Sequence, residues 1–294
     1  MTHIIDLNFL KNADSIAAFL LPTTDGLVLV ETGPYSTFPS LKAGIEQLGF
    51  QVSDVRHVFL SHIHLDHAGA AWAFAERGAT IYVHPAGYPH LLDPSRLMNS
   101  ARRIYQDQMD VLWGDMKAIP ADRLRAVNNE EQIEVGDLTF QAWHTPGHAV
   151  HHIAWQCGEE LFAGDVAGVS IQKGLVVPPC PPPDINIEDW KASINLLREM
   201  GDIKIYLTHF GLVDNNAQHL SDLEWQLDNW AQWMKPHWEA GEAAETVIPK
   251  FQAYVAGQLS ATGIDEEGIK KYEAANPSWM SVAGLMRYWR KKEG

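Results

Sequence analysis

The chain has 294 residues, 46% of them apolar and 20% charged, which suits one large or two modest folded domains and excludes a disordered chain. Its 22 basic and 37 acidic residues leave a net charge of −15 with histidine neutral. That balance argues against a nucleic-acid binder, whose affinity comes from Lys and Arg neutralising phosphates. Cys157 and Cys180 are too few for a disulfide framework and are expected to be reduced thiols. No basic head precedes a long apolar run at the N-terminus, and no segment approaches the ~20 apolar residues that span a bilayer, so the expectation is a cytoplasmic protein with no membrane association.

Residues 15–22 and 27–31 are short apolar runs around Thr24-Asp25-Gly26, the signature of a hairpin. Leu41, Ile45 and Leu48 then keep helical spacing up to Gly49, and residues 55–60 form a β-branched run that reads as a buried strand. Residues 68–77 read as a helix and 80–84 as another strand. From 93 to about 125 the texture changes. Leu97, Ala101, Ile104, Met109 and Leu112 approximate one helical face, a helical insertion. Strand patterns resume at 132–135, 139–143, 153–156 and 161–163. A helix on Ile187, Trp190, Ile194 and Leu197 and a strand at 203–207 follow. Beyond residue 214 only helices are expected: a stripe of Leu220, Leu223, Leu227, Trp230 and Met234, a second helix near 247–259, and a last one with Asn276 as cap and Pro277 in its first turn. Six of the eleven tryptophans lie there, so this extension must pack on the rest of the chain or on a second copy.

The stretch Ser61-His62-Ile63-His64-Leu65-Asp66-His67 closes a buried strand and opens a helix, with four metal-ligand residue types in six positions. In a tight loop, alternate residues such as His62 and His64 can aim at one ion, while Asp66 and His67 on the next bend address a second. One such histidine would read as a surface or satisfied core residue. Three more potential ligands follow apolar β-runs: His148 on the Pro146-Gly147 turn, Asp165 after Leu161-Phe162-Ala163-Gly164, and His209 after Ile205-Tyr206-Leu207-Thr208. Ligands hung at strand ends converge on one edge of a sheet sandwich.

His62-x-His64-x-Asp66-His67, His148, Asp165 and His209 stand in the order found in the metallo-β-lactamase superfamily, which the sequence resembles over about residues 4–211. The resemblance implies an α+β fold, a four-layered αββα sandwich with the site at one edge. The catalytic domain would be residues 1–214, interrupted by the helical insertion at about 93–125, and residues 215–294 would be a C-terminal helical extension. It further implies that His62, His64 and His148 bind one metal, that Asp66, His67 and His209 bind the other, and that Asp165 bridges them. The cofactor would be two divalent ions, zinc first, with iron or manganese compatible with the same ligands. Where relatives often carry Asp-Thr-Gly after the third strand, this chain has Glu31-Thr32-Gly33; the extra methylene bears on how the metal loop is held.

By that resemblance the protein is a metal-dependent hydrolase whose metal-bridged hydroxide attacks its substrate, with Asp66 orienting the nucleophile and carrying a proton. Family substrates include acyl-glutathione thioesters, lactones, β-lactams, phosphodiesters and sulfate esters. The prolines at 178–183, the C-terminal aromatics and the insertion suggest a small, partly apolar ester, thioester or lactone. Two alternatives share the pattern: a mononuclear-iron persulfide dioxygenase-like oxidoreductase, and a non-catalytic metal-stabilised interaction module, although seven candidate ligands exceed the four of a structural zinc. The insertion reads either as a lid over the metals or as a stabilising helical pair. His151 and His152 are candidates for extra ligands, proton shuttles or supports. His144 reads as structural, His84, His90, His219 and His237 lack a constellation, and Cys180 has nothing near it to activate a thiol. The expected partners are a small-molecule substrate and, through the helical extension, a second copy.

Overall fold

In the first three strands, β1 (His3–Asp6), β2 (Ala17–Thr23) and β3 (Gly26–Val30), successive side chains point to opposite faces, and apolar residues occupy both. A sheet begun this way must be covered on its two sides. The computed structural model, which describes residues 1–294, shows how. β4 (Val55–Phe59), β5 (Thr80–Val83) and β6 (Leu124–Ala126) complete a six-stranded sheet in the order β1 to β6, antiparallel through β3 and parallel from there on. The second sheet contains β7 (Gln132–Val135), β8 (Leu138–His144), β9 (Ile153–Cys157), β10 (Glu160–Phe162), β11 (Lys204–Leu207) and β12 (Gly211–Leu212). Its order runs back from β12 to β7, and β10 and β11 are its parallel pair.

The inward faces meet in an aromatic layer. Phe19, Val28, Val30 and Phe59 pack against Phe140, Trp155, Phe162 and Tyr206, and Phe59 stacks on Phe140 at 4.3 Å. Outside the first sheet, Leu20, Leu29, Val58 and Ile81 receive α1 (Phe38–Gln47), α2 (Leu65–Ala68) and α3 (Ala71–Ala75), with α4 (Tyr88–Leu92), α5 (Ser95–Tyr105) and α6 (Met109–Leu112) beside them. Outside the second sheet, Leu161, Ile205 and Leu207 receive α7 (Ile187–Glu199). The same apolar cluster takes in α8 (Asn216–Glu239), α9 (Ala244–Ala261), α10 (Glu266–Ala275) and α11 (Ser278–Glu293). The layering is therefore αββα, and two of the six C-terminal tryptophans are buried within the chain, Trp230 against Phe251 and Trp289 with its Nε1 donating to Ala231 O at 2.9 Å, whereas Trp225 is 58% exposed. No helix is long and apolar enough to cross a membrane.

Several details differ from the expectation, which contained none of β1, β12 and the short helix α4. The helical insertion does not reach residue 125: Leu124–Ala126 is β6, paired with β5 through Ile81 and Leu124. The helix expected over 68–77 is interrupted, α2 ending at Ala68 and α3 spanning Ala71–Ala75, because the chain bends at Gly69 to dock on the third strand's exit. A side chain there would meet Leu65 O and the Pro34 backbone, and Ala70 N–H donates to Gly33 O. α10 is additional. Asn276 is not the cap of the last helix: Pro277 takes that place and α11 starts at Ser278, one position later than expected, because the Asn276 side chain is tied to Pro178 O and Ser281 Oγ.

Candidate metal centre

β4 ends at Phe59, and the chain then turns sharply at the sandwich edge. Ser61 N–H donates to Glu31 Oε1 at 3.0 Å, and Ile153 N–H donates to Ser61 O at 2.7 Å, so the loop is pinned to both sheets. α2 starts at once and carries Asp66 and His67 in its single turn, held down by Thr32, whose N–H and Oγ1 both donate to His67 O. Two glycines let the other loops close in. At Gly147, with φ of 134°, a side chain would strike the Trp190 backbone, so the His148 turn lies flush against α7. At Gly164, with φ of 51°, it would strike Ser61 and His152, so the end of β10 delivers Asp165 beside the His62 loop.

All seven expected ligands meet in one place. His62 Nε2, His64 Nδ1 and His148 Nε2 lie 2.8–3.3 Å from one another. Beside them, Asp66 Oδ2 lies 3.8 Å from His67 Nε2 and 3.7 Å from His209 Nε2. Asp165 stands between the two groups: its Oδ2 is 3.3 Å from His148 Nε2, and its Oδ1 is 3.3 Å from His67 Nε2 and 3.5 Å from His209 Nε2. His62, His67, His148, Asp165 and His209 are buried, whereas the Asp66 side chain is 21% exposed.

The hydrogen bonds behind these rings decide which nitrogen carries a lone pair. His148 Nδ1 donates to Pro179 O at 2.8 Å and His209 Nδ1 to Ser15 O at 2.7 Å; a carbonyl only accepts, so each Nε2 presents a lone pair inwards. His62 Nδ1 meets Ser61 Oγ at 2.9 Å, and His67 Nδ1 lies 3.3 Å from Glu31 Oε2. Burial, reinforced by neighbouring imidazoles, lowers the pKa of His62 and His64 well below the ordinary histidine value, and burial lowers that of His148 against the pull of Asp165. Neutral rings with converging lone pairs repel unless a cation lies between them. His67 behaves oppositely: burial opposes its charge, but Asp165, Asp66 and Glu31 raise its pKa well above the usual range. His67 Nε2 and Asp165 Oδ1 are nevertheless buried without a hydrogen-bond partner. Two lone-pair clusters, a shared carboxylate and orphaned buried donor atoms fit divalent ions.

A family model of the metallo-beta-lactamase superfamily matches residues 12–211, more than half of the chain. The chain belongs to this superfamily. A metallo-beta-lactamase fold-containing protein of Sulfurisphaera tokodaii is 27% identical over 176 residues, which cover 57% of this chain and 66% of that protein. An N-acyl homoserine lactonase of Agrobacterium fabrum is 31% identical over 110 residues, covering 37% of this chain and 38% of that one. The matched segments thus span less than two thirds of these curated relatives. Among solved structures, a metallo-beta-lactamase family protein of Thermus thermophilus has a TM-score of 0.65 at 19% identity, covering 99% of this chain and 93% of that one. An archaeal superfamily protein from Sulfolobus tokodaii has a TM-score of 0.64 at 18% identity, covering 97% of both chains. At such identities the likeness is one of fold. The metallo-beta-lactamase fold implies divalent-metal binding, and the His and Asp clusters are its candidate ligands here.

Around the superfamily site the remaining histidines separate. His152 Nε2 accepts the Asp165 N–H at 3.1 Å and its Nδ1 meets Thr145 Oγ1, so it positions the Asp165 backbone. His151 is buried, lowered to a pKa of about 3 by burial and then by nearby imidazoles, and lines the cavity over the site together with His90. His144 meets His84 with tilted rings at 4.0 Å, His219 donates to Ala167 O, and His237 pairs with Glu242. Cys157 and Cys180 are unpaired, and burial raises the Cys180 thiol far out of the reactive range. Ser61 was legible beside the histidine motif yet carried no expectation of its own, while the carbonyls of Ser15 and Pro179 have no signature in sequence. The cavity measures about 1040 Å3, and Leu97, Ile104, Trp113, Pro181 and Trp279 give it apolar walls. The insertion therefore supplies part of the cavity wall.

Proposed function

We propose that this protein is a dinuclear, zinc-loaded metallo-hydrolase that cleaves a small ester, thioester or lactone with an apolar portion. The observation that carries this reading is the buried carboxylate of Asp165, whose two oxygens turn to different ligand trios. When bound, a pair of divalent ions supplies a water acidified towards neutrality and polarises the scissile carbonyl. His62, His64 and His148 would hold one ion, Asp66, His67 and His209 the other, and Asp165 both. Pro179 O, Ser15 O, Ser61 Oγ and Glu31 keep those rings in the ligating orientation. Asp66, more exposed than Asp165 or Glu31, lines the cavity and would orient the attacking water and carry its proton to the leaving group.

The cavity lies at the upper end of small-molecule sites, and its walls would shed water from an acyl or aryl body. The net charge of −15 disfavours a phosphate polymer. The likeness to a protein named as an N-acyl homoserine lactonase agrees with a carbonyl substrate. The test is elemental analysis of protein purified without added metal, followed by turnover of a panel of thioesters, lactones and phosphodiesters. Two zincs per chain with thioesterase or lactonase turnover is the expected result; one iron per chain with oxygen-dependent persulfide oxidation would replace the reading.

A further inference from the structure

The insertion carries two polar groups that the fold leaves short of acceptors. Tyr105, the last residue of α5, lines the cavity together with Asp66, and its hydroxyl donates only to the sulfur of Met280 at 3.2 Å, a weak acceptor. Trp113, just beyond α6, buries its Nε1 without any partner. The two rings meet edge to face at 5.1 Å, and Tyr105 meets Trp279 of α11 in the same manner at 5.8 Å. Native folds pair nearly all such groups. A phenol that meets two indoles edge to face has little freedom to seek a better acceptor. Burial and then the negative charge of Asp66 keep that phenol protonated, so it remains a donor.

We propose that the Tyr105 hydroxyl leaves Met280 and donates a hydrogen bond to the carbonyl oxygen of the substrate. The inference rests on the hydrolase reading and adds to it a donor carried by the insertion, separate from the ligand cluster. As the carbonyl becomes tetrahedral its oxygen gains negative charge, so this bond strengthens in the transition state and acts on the chemical step.

Tyr105→Phe keeps the ring and both edge-to-face contacts. It is expected to lower kcat and kcat/KM together by about 10- to 100-fold, with KM, zinc content and Tm unchanged. A second measurement needs no turnover: binding of n-octylphosphonate, a tetrahedral oxyanion with an apolar chain, to the zinc-loaded protein, followed by quenching of tryptophan fluorescence. Tyr105→Phe should weaken it about tenfold. Met280→Leu, which removes the sulfur that competes for the hydroxyl, should bind the phosphonate about twice as tightly. A Tyr105→Phe enzyme within twofold of the wild type in kcat overturns the proposal. So does a Met280→Leu protein that loses affinity as Tyr105→Phe does, because the contact would then be a tether between α5 and α11. Wild-type protein that turns over none of the panel sinks the hydrolase reading, and equal phosphonate affinities of wild type and Tyr105→Phe then dismiss the donor as well.

Discussion

Asp165→Asn separates a shared dinuclear centre from two accidental clusters of histidines. The change is isosteric, and the backbone N–H at this position still has His152 Nε2 as its acceptor, so the loop after β10 keeps its course. The new amide has one oxygen and one NH2 group. Turned towards His148 Nε2 or towards His67 and His209, the NH2 faces a nitrogen that was 3.3–3.5 Å from a carboxylate oxygen, and an amide nitrogen does not ligate a metal. One trio therefore loses its oxygen in either orientation. A charge lost at that separation is worth about 5 kcal/mol per unit of positive charge at an effective dielectric of 20. Even a third of this is a tenfold or greater loss of affinity. Titration with zinc against a chromophoric chelator should show two equivalents bound by the wild type and about one by the variant, with hydrolysis down about 100-fold or more. Two equivalents bound with wild-type affinity would refute the bridging role.

Three further outcomes follow from the same geometry. Glu31→Gln keeps the reach to Ser61 N–H but turns an NH2 group towards one of two N–H donors, so zinc affinity in the same competition should fall about 10- to 100-fold; an unchanged affinity would show that Glu31 does not hold His67. Ile104→Ser removes an exposed apolar side chain of the cavity wall, and KM for substrates with an apolar acyl chain should rise about 3- to 10-fold with zinc content constant; a drop in zinc content would place the residue elsewhere in the design. His84 is lowered to a pKa of about 4 by burial and then by His144. Its neutral form is the one the fold prefers, so its contribution is complete above the unfolded value near 6.5 and is lost as pH falls towards 4. Urea midpoints of metal-free wild type and His84→Asn between pH 7.5 and 5 should diverge, the wild type losing more; parallel curves would count against the shift.

What the sequence disclosed and what it hid have separate physical causes. β2 to β5 and β7 to β11 were legible because each is an apolar run bounded by turn residues, and the candidate ligands were legible because His and Asp at strand ends have few structural reasons to be there; β1, with Ile5 its one buried residue, and the two-residue β12 were not legible. β6 was not, since in three residues only Leu124 is buried and no alternation can develop. α10 hid for a related reason: Tyr272 is its one buried large apolar residue, and Lys271 is buried beside it. Asn276 and Pro277 form a strong helix-start signal, displaced here by one position because the asparagine side chain serves Pro178 and Ser281. The supports of the site were least visible. Ser15 and Pro179 act through main-chain carbonyls, which any residue could supply, and Tyr105 joins the cavity only through the way α5 lies across it.

Anomalous scattering at the zinc edge from crystals grown with zinc addresses the central claim most directly. Two peaks are expected, one among His62, His64 and His148, the other among Asp66, His67 and His209, with the Asp165 carboxylate between them. A single peak at full occupancy, or zinc bound away from these side chains, would contradict a shared dinuclear centre.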